Sequence, residues 1–366
     1  MKLQVLQEEL SKALSLANRF ASAKAQLPVL GNILLSSKKS KLLISSTNLE
    51  ISINIAIGAK VETEGDITIP AKIITDIVTN LNPEQINLVS KEENLNITNS
   101  EFESTISGMN ALDFPSIPKK MEKVDLSIPK DELAKALSLV LFAVSSDETR
   151  PILTGVLFIC KKGELTLVAT DGYRLSQVVL KKNSITKSFK IILPKAVLGE
   201  LTRLPSDGDI EFYFDEPNNQ AVFKSENIIL SSRVLEGAFP DYQKIIPKDF
   251  MLKILAEKDD LIQAVKLASV FARDSANIVK LSIKKGKLEF STESQLSGRQ
   301  KTKIEAKIDG EDLDIAFNYR FLEEILQAIE EEDVSIEFSG SSSPAVFKDL
   351  KNSNFLHLIM PVKLQD

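Results

Sequence analysis

Apolar residues recur at two spacings along this chain of 366 residues, and the two spacings take turns. In EELSKALSLANRFA (8–21) they return every three or four positions, at Leu10, Ala13, Leu14, Ala17 and Phe20 or Ala21. That spacing lays one apolar stripe along a helix. The same pattern, again opened by an acidic pair, returns in DELAKALSLVLFAV (131–144) and DDLIQAVKLASVFA (259–272). Two carboxylates in a first turn suit the positive end of a helix. A period of two takes over in KKSKLLISST (38–47), KKGELTLVAT (161–170) and KKGKLEFSTE (284–293), each a tight turn feeding a strand. GDITIPAKIITDIVTNL (65–81), KSFKIILPKAVLGELTRL (187–204) and DLDIAFNYRFLEEILQAI (312–329) then run from a strand into a second amphipathic helix. Pro70 and Pro194 stand where those helices begin, a position that tolerates proline.

Three matches in the same order and at nearly constant spacing identify an internal repeat. LDFPSIP (112–118) and GAFPDYQKIIP (237–247) close the first two copies as proline-rich linkers. The expected fold is α+β: three tandem similar domains, each with two helices packed on antiparallel sheets, at 1–120, 121–248 and 249–366.

Composition narrows the chemistry. Hydrophobic residues make up 43% and aromatics only 6%, with no Trp, so Ile, Leu and Val carry the cores. The single Cys160 excludes an intrachain disulfide and, within GVLFICKK, reads as a small buried hydrophobe. The single His357 leaves a zinc site without ligands. A Ser–His–Asp relay would have to use that residue inside an apolar C-terminal strand. No cofactor or metal is expected. No basic-then-apolar leader opens the chain and no apolar run approaches about 20 residues, so a soluble, cytoplasmic protein with no membrane partner is expected. The net charge of −6 says little about how charge is spread over the surface.

VATDGYRLS (168–176) sets Asp171 beside Arg174, which an active site could use as an acid and its partner. The repeats supply a control. SSTNLEIS (45–52) and STESQLSG (291–298) occupy the same place, each with Thr followed by Asn or Glu. Such residues bond to turn backbone whatever the domain does, so Asp171 reads as scaffold. Gly172, Tyr173 and Arg174 occur together only in the second copy, which points to a role beyond the fold.

The triplication, with LPVLGN near the start, RPILTGVLF and ATDGYRL in the middle, FPDYQKIIP later and HLIMPVKL at the end, resembles the bacterial sliding clamps, the beta subunits of the replicative DNA polymerase. The resemblance spans the whole chain. It implies a head-to-tail homodimer closed into a six-domain ring, with duplex DNA threaded through and contacted without regard to sequence. It also implies no active site, and a surface pocket that takes short peptides of the polymerase, the clamp loader and repair proteins. Carried over position by position, that pocket comprises Leu153, Thr170, Gly172, Tyr173, Arg174, Leu175, Pro240, Lys244, Ile245, Ser343, Pro344, Leu358, Ile359, Met360, Pro361, Val362 and Lys363. Leu, Ile, Val and Met make an adaptable apolar cleft, and Arg174 is expected to offer fixed donors at its rim.

A helix lining such a ring needs a polar face for phosphates opposite its apolar stripe. Lys12 and Arg19 share that face in the first copy, Lys135 in the second and Lys266 in the third. The second helices add Lys72, Lys195, Arg203 and Arg320, while Lys24 and Arg150 match loop positions that touch DNA in the family. Contacts of this kind go to phosphate and are salt-sensitive. A ring also needs its open sheet edges paired. Glu101 and Glu103 on one edge are expected to meet Arg299, Lys301 and Lys303 on another, around an apolar core of Ile106, Val270 and Phe271. Two other functions fit parts of the sequence. One is a metal-dependent nuclease built on Asp312 and Asp314 or on the EEED run at 330–333. The other is an acidic three-domain adaptor that binds proteins without encircling DNA.

Overall fold

A computed structural model describes residues 1–22, 26–161, 163–182, 185–205 and 207–363. The chain divides into two compact units, Met1–Lys130 with Arg203–Val234, and Asp131–Thr202 with Leu235–Asp366.

The first unit carries helices α1 (Gln7–Asn18) and α2 (Ala71–Asn80). Five antiparallel strands form one sheet in the order Lys60–Thr63, Lys2–Leu6, Gln85–Lys91, Asn94–Thr98 and Glu103–Ser107. Eight strands form the other: Leu126–Pro129, Asp209–Asp215, Gln220–Ser225, Ile228–Arg233, Ile51–Gly58, Lys41–Thr47, Asn32–Lys38 and Gly65–Pro70. The repeat explains that length, because Ile228–Arg233 of the second copy pairs antiparallel with Ile51–Gly58 of the first. The α1 stripe is buried as its spacing predicts, at Leu10, Ala13, Leu14 and Ala17. Each fully buried leucine contributes about 2 kcal/mol. Gln7 Nε2 donates to the Val78 carbonyl at 2.7 Å, tying the start of α1 to the end of α2.

The second unit carries α3 (Lys130–Leu141), α4 (Lys195–Leu201), α5 (Lys258–Ala272) and α6 (Tyr319–Ala328). Its nine-stranded sheet runs Phe189–Pro194, Gly155–Lys161, Gly163–Thr170, Arg174–Lys182, Phe355–Ile359, Ala345–Asp349, Asp333–Phe338, Leu252–Glu257 and Lys307–Gly310. Here the second copy passes to the third through the pairing of Arg174–Lys182 with Phe355–Ile359. A four-stranded sheet, Gly298–Glu305, Lys287–Ser294, Ile278–Lys284 and Leu313–Asn318, packs against α5. Helix starts follow local chemistry. Pro70 and Pro194 are the extended caps just before α2 and α4, where a missing N–H costs nothing. At the same place in the third copy Asn318 caps α6 by accepting the Arg320 N–H at 3.0 Å.

Candidate functional site

The strand Gly163–Thr170 ends in a turn that returns as Arg174–Lys182. Thr170 Oγ1 donates to the Arg174 carbonyl at 2.6 Å and accepts the Gly172 N–H at 3.1 Å. Asp171 Oδ1 accepts the N–H groups of Tyr173 and Arg174, at 2.8 and 3.0 Å. Gly172 has φ of +93°, a conformation that glycine adopts without strain. The turn thrusts Tyr173 outward, 62% exposed. Its carbonyl accepts the Met360 N–H at 2.9 Å, so the end of the chain is stitched to the turn. In the third copy the equivalent bonds are made by Ser294, which accepts from Leu296 and Ser297, and not by Glu293. A hydroxyl does there what the amide and the carboxylate do in the other copies.

Within this unit Tyr173, Pro240, Lys244, Ile245, Met360 and Lys363 are exposed, and Ser343, Pro344, Pro361 and Val362 are half-buried. Leu153, Thr170, Leu175, Leu358 and Ile359 are buried. Leu153, Leu175 and Leu358 belong to one apolar cluster with Phe239, Tyr242 and Val346. The exposed set therefore rests on a packed apolar floor. Lys244 is held at the surface by Asp241, 2.9 Å away. Val346 escaped the sequence reading although its neighbour Pro344 did not; alternation past SSSP puts it on the inward face of its strand.

Arg174 departs from expectation. Its side chain is only 8% exposed, and each of its three nitrogens is held by a partner within the fold, two of them distant in sequence. Nε pairs with Asp171 at 3.1 Å, Nη1 with Glu324, and Nη2 donates to the Phe142 carbonyl at 2.6 Å. The guanidinium also lies over the Phe321 ring, 4.5 Å from its centroid. A planar fork with five donors suits such a site, and a lysine would not satisfy it. The arginine thus clamps the end of α3 and the face of α6 to the turn. Glu324 and Phe321 sit about 150 residues away with no motif around them, so nothing in the sequence marks them.

Below the turn Ser176 Oγ lies 2.5 Å from His357 Nδ1, and both residues are fully buried. The Phe142 and Phe347 rings flank the imidazole. Burial first, then the nearby Arg174 charge, pushes the His357 pKa well below its ordinary value, so the ring is neutral. A serine–histidine pair without access to solvent has no substrate to attack. Asp314 is bonded to Ser282 at 2.5 Å and to Lys280 at 2.9 Å, and these hold its carboxyl below the usual range. No group of three or more His, Cys, Asp or Glu among the described residues could hold a metal ion. No helix of the described residues is long and apolar enough to cross a membrane.

Lys12, Arg19, Lys72 and Arg203 in the first unit, and Lys135, Arg150, Lys195, Lys266 and Arg320 in the second, are all exposed. Lys24 lies outside the described residues, as do Gln365 and Asp366 at the chain end. Glu101 and Glu103 are exposed, and Glu103 opens the outermost strand of the five-stranded sheet. Arg299, Lys301 and Lys303 are exposed on Gly298–Glu305, the outermost strand of the four-stranded sheet. Lys301 and Lys303 also reach Glu289 of their own sheet, at 3.3 and 3.5 Å. Val270 is 61% exposed and Phe271 half-buried on α5. Ile106 differs from expectation: it is 5% exposed, because it faces inward opposite Leu95 and fills its own core.

Comparison with known proteins gives consistent matches over nearly the whole chain. Family models for the DNA polymerase III beta subunit match in order: the N-terminal domain at residues 1–118, the central domain at 127–241 and the C-terminal domain at 243–363. The beta sliding clamp of Synechococcus elongatus is 32% identical over 376 residues, covering 100% of both chains. That of Staphylococcus aureus is 30% identical, covering 93% of this chain and 94% of the relative. Among solved structures, the DNA polymerase sliding clamp of Bacillus subtilis superposes with a TM-score of 0.95 at 27% identity over 100% of both chains. The DNA polymerase III beta chain of Streptococcus pneumoniae gives 0.94 at 29% identity, over 99% of this chain and 100% of the other.

Proposed function

The chain belongs to the DNA polymerase III beta subunit family, the bacterial beta sliding clamps, and from that premise we propose that two copies close head to tail around duplex DNA. The ring is a non-catalytic, cytoplasmic tether that holds the replicative polymerase and other partners to DNA for processive synthesis. Its three clamp domains span 1–120, 121–248 and 249–366. The observation that carries this reading is the way one repeat hands over to the next. Ile51–Gly58 pairs with Ile228–Arg233, and Arg174–Lys182 pairs with Phe355–Ile359. By the same rule Gly298–Glu305 needs a partner strand, and its counterpart is Glu103–Ser107, the edge strand of the first copy. Pairing these edges between two chains continues both sheets and removes the exposed edges. Arg299, Lys301 and Lys303 then face Glu101 and Glu103, with Val270 and Phe271 on α5 beside the seam.

The exposed lysines and arginines of the helices and loops contact phosphates, giving loose and salt-sensitive binding that lets the ring slide. The cleft floored by Leu153, Leu175 and Leu358, and rimmed by Tyr173, Ile245 and Met360, docks the partners' short peptides. Topology provides the test. Loaded on nicked circular duplex, the protein should stay bound through a salt wash and come off when the circle is linearised. Retention on the linear form would replace the ring with ordinary binding.

A further inference from the structure

The docking cleft has a counterpart one repeat earlier. Met360 N–H donates to the Tyr173 carbonyl at 2.9 Å, and Arg233 N–H donates to the Glu50 carbonyl at the same distance. Strand register extends the match: Arg174 opposes Ile359 as Ile51 opposes Ser232, and Val346 opposes Leu358 as Val222 opposes Ser231. Arg233 therefore stands where the docking cleft has Met360, and Gln220 where it has Pro344. Phe114–Pro115 of the first linker repeats Phe239–Pro240 of the second. In the first unit Gln220, Val222 and Arg233 line a cleft of about 770 Å³, together with residues of the linker that follows Phe114–Pro115 and of the strand Asp209–Asp215.

We propose that this cleft is a second docking site, which takes an extended peptide whose carboxylates alternate with aliphatic side chains. The inference rests on reading the later cleft as a peptide site. The geometry of the two is shared, but the chemistry of the rim is reversed. Lys119, Lys120 and Arg233 line the cleft, all exposed, and none forms a salt bridge among the described residues. Val222 and Ile117 supply an apolar floor between them. An extended strand sends alternate side chains to opposite sides, so carboxylates meet the cations while aliphatic groups meet the floor. Gln220 and Asn218 supply amide oxygens for the peptide's N–H groups, their nitrogens already donating to Ser231 Oγ at 3.2 Å and Asp215 Oδ2 at 2.8 Å. Asp215 and Glu122 also line the cleft and oppose a continuous phosphodiester, whereas a peptide with alternating charges can place its carboxylates away from them.

Fluorescence anisotropy on the full chain separates the two sites. The probes are a labelled decapeptide of alternating aspartate and leucine, and a labelled peptide carrying glutamine and leucine anchors. Lys120→Glu with Arg233→Glu should weaken the acidic probe about tenfold or more and leave the glutamine probe unchanged, which also reports that the variant is folded. Met360→Asp should do the reverse. No saturable binding of the acidic probe up to about 1 mM overturns this proposal alone, as does binding indifferent to Lys120 and Arg233. A glutamine probe indifferent to Met360 sinks the docking reading of the later cleft instead. Displacement of the acidic probe by a short oligothymidylate at equal concentration makes the cleft a nucleic-acid site and overturns the proposal.

Discussion

The turns Thr47–Ile51 and Thr170–Arg174 are built by the same bonds and end in different chemistry. Thr47 Oγ1 donates to the Ile51 carbonyl at 2.9 Å and accepts the Leu49 N–H at 3.0 Å, as Thr170 does one repeat later. Asn48 Oδ1 accepts the N–H groups of Glu50 and Ile51, at 3.1 and 2.8 Å, in the manner of Asp171. The first two residues of each turn serve the fold. The next three are where the copies diverge: Leu49, Glu50 and Ile51 against Gly172, Tyr173 and Arg174. Within a repeat protein, bonds that recur are scaffold and side chains that do not recur carry the difference in function.

The largest effect should come at the last position of each turn. Arg174→Ala leaves Asp171 Oδ2 and the Phe142 carbonyl without the donors that Arg174 gives them, and should cost about 3 kcal/mol. Glu324 is 42% exposed and regains water, which keeps the figure from rising further. Arg174→Lys keeps the charge without the fork and should recover less than half of that loss. At the matching position Ile51→Ala should also cost about 3 kcal/mol, but Ile51→Val only about 1. Denaturant midpoints of the four variants check the contrast. An arginine variant as stable as the parent would mean that the clamp on α3 and α6 is ornamental.

A second contrast lies two residues further along each strand. Ile53 opposes Leu230 in the first unit, where the second unit has Ser176 opposite His357. Both pairs are buried, but only one contains a group that titrates. The folded-state pKa of His357 is depressed, so between that value and about 6.5 the unfolded chain binds the extra proton. Stability is therefore full above about pH 6.5 and falls as pH drops, by up to about 1.4 kcal/mol per unit. Ser176→Ile with His357→Leu copies the first repeat into the second. It should remove this slope from denaturation curves between pH 6.5 and 5. An unchanged slope would assign the acid sensitivity to other groups.

The repeats made much of this molecule legible before any coordinates. Helical stripes, strand-to-helix transitions at Pro70 and Pro194, and the turn role of Asp171 each depend on residues within about one turn of one another, and local spacing encodes them. Long-range pairing is different. Arg174 reads from sequence as a rim donor because its partners Glu324 and Phe321 arrive from α6 through the packing of another repeat. Ile106 reads as an interface residue because an edge strand has two faces, and its inward one is settled only by register with Leu95. The divergence of the two clefts was present in the sequence as Arg233 and Met360, but only strand register makes those positions equivalent.

The smallest effect concerns the middle of each turn, where the same backbone shape is met by unlike residues. Gly172 has φ of +93° and Leu49 has φ of +77°. A side chain in this region costs about 1 kcal/mol, a cost that glycine escapes. Gly172→Ala should therefore lose about 1 kcal/mol. The added Cβ would sit 3.5 Å from Arg150 Nη1, an ordinary contact, so that loss is conformational and not a clash. Leu49→Gly relieves the strain but frees the unfolded chain and strips a leucine that is 47% exposed, and these terms offset to within about 0.5 kcal/mol. Paired thermal melts of the two variants test whether the backbone shape, rather than the residue, is what the repeats hold in common. If Gly172→Ala is neutral, the turn relaxes more readily than its hydrogen bonds imply. The glycine would then be explained by what must approach it from outside, as the proposed docking of a partner's peptide requires.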